Sequence, residues 1–325
     1  KKNEQPHPSL SADATCFGCH ATGFSLIERT DGGVDFTPNS GSNPRWTTNR
    51  VGCERCHGPA SEHVSATSNY ALYITNPALL DADRANEVCG QCHSGINGFD
   101  NELPYGWHST MGTFQPGETL ASFAVSTTEV WSNGTAKGPH QQLDELLSSP
   151  HGTGYALRCF DCHDPHDSQA DTFTSSLRLD HRNNSLCASC HLALSFDNDE
   201  DELEDHPEHY YGHEPDGTSQ IGRCTGCHMV RTGAGIGFND STGAGDLASH
   251  SFAVVTPQET VDEFDNLGAS ELEPGEFPIH SCVECHEYNL WRKTDAGSGF
   301  AGTTGDPTLI ETHEAHQLSY EAKFP

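Results

Sequence analysis

The sequence predicts a fold of mostly irregular coil with short α-helices and little β-structure, and three observations predict it. Only 34% of the 325 residues are apolar, while Gly 32 and Pro 18 interrupt regular elements throughout. The 14 cysteines fall into CxxC pairs spread along the chain, with none left over. No run approaches the roughly 18 consecutive apolar residues that a membrane span needs. Side chains alone would build a thin core, so something other than polypeptide has to supply the interior.

Charge removes two function classes. Lys+Arg is 16 against Asp+Glu 47, a formal net charge of -31. Such a surface repels phosphate backbones and anionic headgroups, which argues against a nucleic-acid partner, unassisted membrane binding or membrane insertion.

The cysteine pairs are Cys16/Cys19, Cys53/Cys56, Cys89/Cys92, Cys159/Cys162, Cys187/Cys190, Cys224/Cys227 and Cys282/Cys285. Each is followed directly by a histidine: His20, His57, His93, His163, His191, His228 and His286. A lone CxxCH could be a redox dithiol or half a zinc site. Seven of seven pairs obeying the pattern make it the c-type haem attachment motif. Two thiols one helical turn apart reach the two vinyl groups of one porphyrin, and the next imidazole takes the iron from below. The sequence therefore predicts seven covalently attached c-type haems, with those histidines as proximal iron ligands. Haem attachment of this kind occurs outside the cytoplasm, so the protein is expected to be exported, to the cell surface or beyond, otherwise to the periplasm. The opening Lys1, Lys2, Asn3, Glu4 shows no apolar h-region, and the chain reads as a mature form.

Seven attachment points in 325 residues leave little polypeptide between porphyrins. The helices and loops are expected to wrap a chain of covalent haems, and intervals as short as that from Cys159 to Cys187 force neighbours close enough to exchange electrons. Three segments are expected: an N-terminal multihaem core over 1–195, a sixth-haem region with an acidic loop over 196–256, and a seventh-haem segment over 257–325.

A few elements can be placed. Asp81 caps a helix running through Val88 into the third motif, and Gln141 to Leu147 puts Leu143, Leu146 and Leu147 on one helical face. Thr256, Pro257 and Glu259 form a capping box with proline in the first helical position. Ile310 to Tyr320 reads as a terminal helix. The acidic run Asp197 to Asp205 reads as a solvated loop, with a calcium site as its alternative. Asn133, Asn183 and Asn239 open N-glycosylation tripeptides.

Of 21 histidines, seven are proximal, and methionine is limited to Met111 and Met229. Bis-histidine coordination is the economical solution for most or all of the irons. It implies low reduction potentials, lowered further by acidic surroundings that favour ferric iron.

The stretch VGCERCHGPASEHV from Val51 to Val64, with ITNPALLDADRANEVCGQCHSG after it, resembles the N-terminal core of a group of multihaem cytochromes. That group includes the tetrahaem carriers of ammonia oxidation and the extracellular filament-forming cytochromes. CFGCHATGF, LPYGW, HQQLDELLSSPHG and CFDCHDPHD fit the same pattern. The resemblance implies His63, His140 and His151 as distal ligands, with His166 of the DPH tripeptide as a fourth. LCASCH, GHEPDGTSQIGRCTGCHM and SHSF are similar to the C-terminal motifs of related electron carriers and nominate His213 and His250. His209, four residues before His213, is the alternative where relatives carry adjacent histidines. The seventh ligand is assigned to His316, with His313, His7 and His280 as alternatives.

The expected function is long-range electron transfer to other redox proteins or an external acceptor, without catalysis on a substrate. The carrier is either a discrete shuttle or a self-associating head-to-tail filament subunit. A multihaem reductase of nitrite, hydroxylamine or sulfur oxyanions is the alternative, but such nitrite reductases mark their open haem with CxxCK, which this sequence lacks. A docking subunit of a surface redox complex is the third reading.

Overall fold

The computed structural model describes residues 16–23, 26–28, 34–36, 50–99, 105–166, 174–191, 223–235, 237–238, 244–267 and 278–281. The seventh motif, with Cys282, Cys285 and His286, lies outside these residues. So do the acidic run, the Ile310 to Tyr320 segment, and His7, His209, His213, His313 and His316.

In chain order the elements begin with α1 (Phe17–His20), β1 (Leu26–Glu28), β2 (Val34–Phe36), α2 (Cys53–His57), α3 (Ser61–Ser65) and α4 (Ala82–His93). Then come β3 (Ile96–Gly98), β4 (Trp107–His108), β5 (Gly112–Thr113), β6 (Ala124–Ser126), α5 (Gln142–Ser148), α6 (Pro150–Tyr155) and α7 (Cys159–Cys162). The last are α8 (Ser185–Ala188), α9 (Cys224–His228) and α10 (Pro257–Leu267). As expected, coil and short helices dominate. The described sheet is confined to antiparallel pairs: β1 with β2, β3 with β6 and β4 with β5. Among the described residues no helix is long and apolar enough to cross a membrane.

The CxxCH motifs explain why so many helices are one turn long. Residues three apart share a helix face, so α1 with the residue before it, α2, the end of α4, α7 and α9 each bring the two thiols of a motif to the same side. The fifth motif departs from this pattern. Helix α8 holds Cys187 but ends at Ala188, so Cys190 sits in the turn beyond it. The turn still closes: the N–H groups of Cys190 and His191 both donate to the Cys187 carbonyl, at 3.2 and 2.9 Å.

The chain forms two compact units, one of Lys1–Thr128, His140–Asp144 and Ala156–Arg158, the other of Glu129–Pro139, Glu145–Tyr155 and Cys159–Pro325. In the first, Phe114, Leu120, Phe123 and Ala124 form a small apolar cluster against Ile96. Helix α4 starts where the Asp81 carboxylate accepts the Arg84 N–H at 2.9 Å, and it buries Ala85 and Val88. In the second, Val230, Val255 and Ile279 pack with Ala244. Trp131 is pinned there by its indole N–H on the Thr232 carbonyl at 3.0 Å. The capping box of α10 is present: the Thr256 N–H and hydroxyl both donate to Glu259 Oε2, and the Glu259 N–H returns to Thr256 Oγ1 at 3.3 Å.

Helix α5 carries Leu143, Leu146 and Leu147 as expected but buries them unequally. Leu143 and Leu146 are buried, but Leu147 is 42% exposed. The buried stripe continues instead through Glu145 and Ser149, which rotates it away from Leu147. Of the glycosylation tripeptides, that at Asn133 uses its side-chain oxygen to accept the Thr135 N–H and hydroxyl, and its Nδ2 is shielded from solvent.

Candidate haem-binding sites

The described motif cysteines lie at or near the surface of the polypeptide. Cys16, Cys53, Cys190 and Cys227 are exposed, and Cys19, Cys56, Cys89, Cys92, Cys159, Cys162, Cys187 and Cys224 are half-buried. Cys190 is the more open thiol of the fifth pair, touched by the Ser189 hydroxyl at 3.9 Å. Its exposure follows from its place past the end of α8, and it leaves the sulfur accessible to a porphyrin edge. Cys282 and Cys285 of the seventh pair fall outside the described residues, so the structure describes twelve of the fourteen attachment thiols.

Three of the motif histidines are held in one tautomer. His57 Nδ1 donates to the Thr75 carbonyl at 2.8 Å, His163 Nδ1 to that of Ser175 at 2.7 Å, and His228 Nδ1 to that of Phe252 at 2.9 Å. A carbonyl only accepts, so the proton is on Nδ1 and Nε2 keeps its lone pair, the arrangement a metal ligand needs. Two expected distal residues are held the same way: His63 Nδ1 on the Tyr70 carbonyl at 2.9 Å and His250 Nδ1 on that of Ala248 at 3.1 Å. His108, never a candidate, does the opposite. Its Nδ1 accepts the Thr110 N–H at 3.1 Å, which leaves the proton on Nε2.

Three motif histidines lie close to a histidine from outside any motif. Ring centroids are 6.5 Å apart for His93 and His140, 5.8 Å for His191 and His151, and 6.4 Å for His163 and His250. An imidazole nitrogen sits roughly 2 Å from a first-row metal ion, so adding the two ring radii puts trans ligands of one metal about 6 Å apart, centroid to centroid. The three separations fit that requirement. The interplanar angles of 71°, 72° and 24° do not enter that requirement, because two ring planes that share one metal–nitrogen axis could stand at any angle about it.

Electrostatics keep two of these imidazoles neutral. Burial, with the neighbouring His93 and His20, pushes His140 down, and burial, with His191 and His228, pushes His151 down. Neutral imidazole is the form that binds iron. His140 holds a left-handed backbone with φ 58°, an outlier of the kind that collects at functional sites.

The remaining described candidates differ among themselves. His63, on α3, packs edge-on to Tyr70 at 5.8 Å, with Val64, Leu72 and Tyr73 exposed nearby in the chain, apolar surface suited to a macrocycle. His166 is exposed in a turn where its N–H donates to the Asp164 carboxylate at 3.0 Å. His280 is fully buried, beside Ile279 of the apolar cluster and Ser281, whose hydroxyl donates to the Cys227 carbonyl at 2.8 Å.

The attachment turns converge within each unit. Arg55, inside the second motif, donates to the Gly18 carbonyl of the first at 2.5 Å and approaches Cys92 Sγ of the third at 3.9 Å. Gln91 of the third motif donates to the Arg55 carbonyl at 3.1 Å. The Cys19 and Cys92 thiols hydrogen-bond, which drives Cys19 up and, beside the Arg55 guanidinium, Cys92 down. Burial, with Cys89 and Cys92 close by, pushes Cys56 up to about 11. In the second unit the fourth and fifth motifs lie close together, and burial, with the Cys187, Asp161 and Cys190 charges, pushes Cys162 up. Cys187 hydrogen-bonds Cys224, and the buried Asn184 accepts the Cys224 N–H at 2.9 Å. Arg55, Asn184, Glu145 and Phe252 were not singled out from sequence. Only Asn184 carried a local hint, as a helix N-cap type just before α8.

Paired thiols on one helical turn, a following imidazole whose Nε2 keeps its lone pair and a second imidazole nearby are the donor set of a c-type haem, which when bound supplies a one-electron ferric/ferrous couple. The chain is a multihaem c-type cytochrome, a class that serves electron transport. Residues 150–195 match the doubled CXXCH motif family, and residues 1–58 match the family of cytochrome c554 and c-prime. The multiheme cytochrome MtrA of Shewanella baltica (strain OS185) is 24% identical over 203 residues, 59% of this chain and 56% of that protein, so the match spans little more than half of the relative. The crystal structure of the outer cell wall cytochrome OcwA is similar over 96% of this chain and 76% of that one, at 20% identity and a TM-score of 0.51. That similarity concerns the fold.

Proposed function

We propose that this chain is a heptahaem cytochrome c that carries electrons over long distance outside the cytoplasm and does no chemistry on a substrate. Its haems are attached at the seven cysteine pairs from Cys16/Cys19 to Cys282/Cys285, with the motif histidines as proximal ligands and His63, His140, His151, His166, His213, His250 and His316 as distal ligands. The porphyrins then form the apolar interior, with 1–195, 196–256 and 257–325 as successive haem segments.

The observation that carries this reading is the proximity of His93 to His140, His191 to His151 and His163 to His250, with ring centroids 5.8 to 6.5 Å apart. Two imidazoles per iron leave no axial position for a substrate, and they give the low potentials of a conduit. Close attachment turns in each unit favour rapid exchange between neighbouring haems. The similarity to OcwA, an outer cell wall cytochrome, supports a surface location.

Candidate ligands near both ends of the sequence, His7, His313 and His316, motivate head-to-tail self-association in which a histidine of one copy serves a haem of the next. An interface of that kind that does not close makes a filament. Negative-stain microscopy of the native protein tests this part: filaments are expected, and monodisperse particles reject it.

The main reading is tested by intact mass and electron paramagnetic resonance of the oxidised holoprotein. Seven covalent haems, all low-spin, are expected. A high-spin haem together with nitrite turnover replaces the conduit with a reductase.

A further inference from the structure

Helix α5 carries a buried acid that no haem motif explains. Glu145 is 3% exposed. Its Oε1 accepts from the Ala136 N–H at 2.8 Å and from the Ser249 hydroxyl at 2.6 Å, and its Oε2 accepts the N–H of His250 at 2.6 Å. Backbone N–H groups only donate, so both oxygens act as acceptors, the role a carboxylate fills. Among the described residues no Lys or Arg forms an ion pair with it. Burying an unpaired charge is costly unless hydrogen bonds offset it. Two of the three come from the segment that carries His250, and the third ties the acid to Ala136.

We propose that Glu145 positions His250 and sets the reduction potential of the haem held between His163 and His250. The proposal rests on the reading of His250 as that haem's sixth ligand. The carboxylate clamps the His250 N–H and the Ser249 hydroxyl, while the imidazole Nδ1 is held by the Ala248 carbonyl at 3.1 Å, so the ring is fixed from two sides. In the couple Fe(III) plus one electron giving Fe(II), the ferric state carries the extra positive charge. A water-shielded anion next to the ligand backbone stabilises that state and lowers the midpoint.

The test is spectroelectrochemical titration of the holoprotein with electron paramagnetic resonance on Glu145→Gln, Glu145→Asp and His250→Ala. Glu145→Gln keeps the shape and removes the charge: every haem stays low-spin and one midpoint moves upward. Glu145→Asp restores the charge with a poorer fit and brings that midpoint back towards its native value. An unmoved midpoint in Glu145→Gln, or an equal upward shift in Glu145→Asp, overturns the proposal. His250→Ala separates the two layers, because if it leaves every haem low-spin the ligand reading itself has failed. Should Glu145→Gln not take up its full haem complement, Ser249→Ala carries the test. It withdraws a hydrogen bond and concentrates the negative charge, so the same midpoint falls, and an unmoved or raised one overturns the proposal.

Discussion

The rings of Phe252 and His151 lie 4.4 Å apart, tilted by 54°. The carbonyl of the same phenylalanine accepts His228 Nδ1–H at 2.9 Å, and its ring stands 6.1 Å from that of His250. One residue therefore touches imidazoles assigned to three successive haem sites. It does so with φ 57°, a left-handed backbone that a bulky side chain rarely adopts. Strain of this kind costs on the order of 1–3 kcal/mol and persists only where surrounding contacts over-determine it.

Phe252→Gly separates the backbone role from the ring. Glycine takes positive φ freely, so the carbonyl stays on His228 while His151 and His250 lose their aromatic neighbour. The low-spin resonances of the two haems holding those histidines shift in g-value, and the resonance of the His228 haem does not. The half-buried ring is lost but the strain is relieved, so the fall in stability is about 1–2 kcal/mol, read from the denaturant midpoint. Unchanged resonances throughout would show that the ring does not orient these ligands.

Gly18 and Tyr105 give a packing prediction. Tyr105 is fully buried, and a Cβ on Gly18 would overlap its ring. Gly18 lies between the two cysteines of the first motif, so crowding there strains the attachment turn itself. Gly18→Ala is expected to cost about 1–3 kcal/mol, as over-packing does, and to lower the melting temperature of the holoprotein. Adding Tyr105→Leu recovers part of the loss. A single variant as stable as the parent rules out the close approach.

What could be read from the sequence was local. The Asp81 cap, the Thr256 and Glu259 box and the one-turn CxxCH helices depend on residues three or four apart, the range over which helix signals act. His140, His151 and His250 came from a resemblance, since nothing in their neighbours states which motif each will face. The supporting residues were invisible because their partners are remote in sequence. Asn184 meets Cys224 across 40 positions and Glu145 meets His250 across 105. The exposure of Leu147 was not legible for a related reason: α5 turns the Glu145 carboxylate inward to serve a distant segment.

Asp180 offers a pH dependence. Hydrogen bonds from the Arg182 side chain at 3.0 Å hold its carboxyl below the ordinary carboxylate range, helped by the Arg182 N–H and positive charge. A carboxyl lowered on folding adds stability above its unfolded value of about 3.9, and that stability is lost as pH falls through the lower folded value. Asp180→Asn is therefore slightly less stable than the parent at neutral pH, the effect being small for so exposed a pair. The two proteins converge once the pH falls below the lowered folded value. Melting temperatures measured across that range check it, and a gap that widens in acid contradicts the sign.

His63 and His151 test the ligand set where it rests on different support. His63 is fixed by the Tyr70 carbonyl at 2.9 Å, whereas the His151 ring lies 5.8 Å from that of His191. Replacing either by alanine removes one imidazole from an iron but leaves the thioether-forming cysteines untouched. Each variant should keep the parental number of covalent haems by mass spectrometry, gain one high-spin haem by electron paramagnetic resonance, and show one raised midpoint, since an imidazole donor to ferric iron is gone. His108→Ala is the control. Its Nδ1 accepts a backbone N–H and its Nε2 carries the proton, so its spectrum should match the parent. If His63→Ala and His151→Ala also match the parent, these two histidines are not iron ligands and the distal assignment fails at both sites.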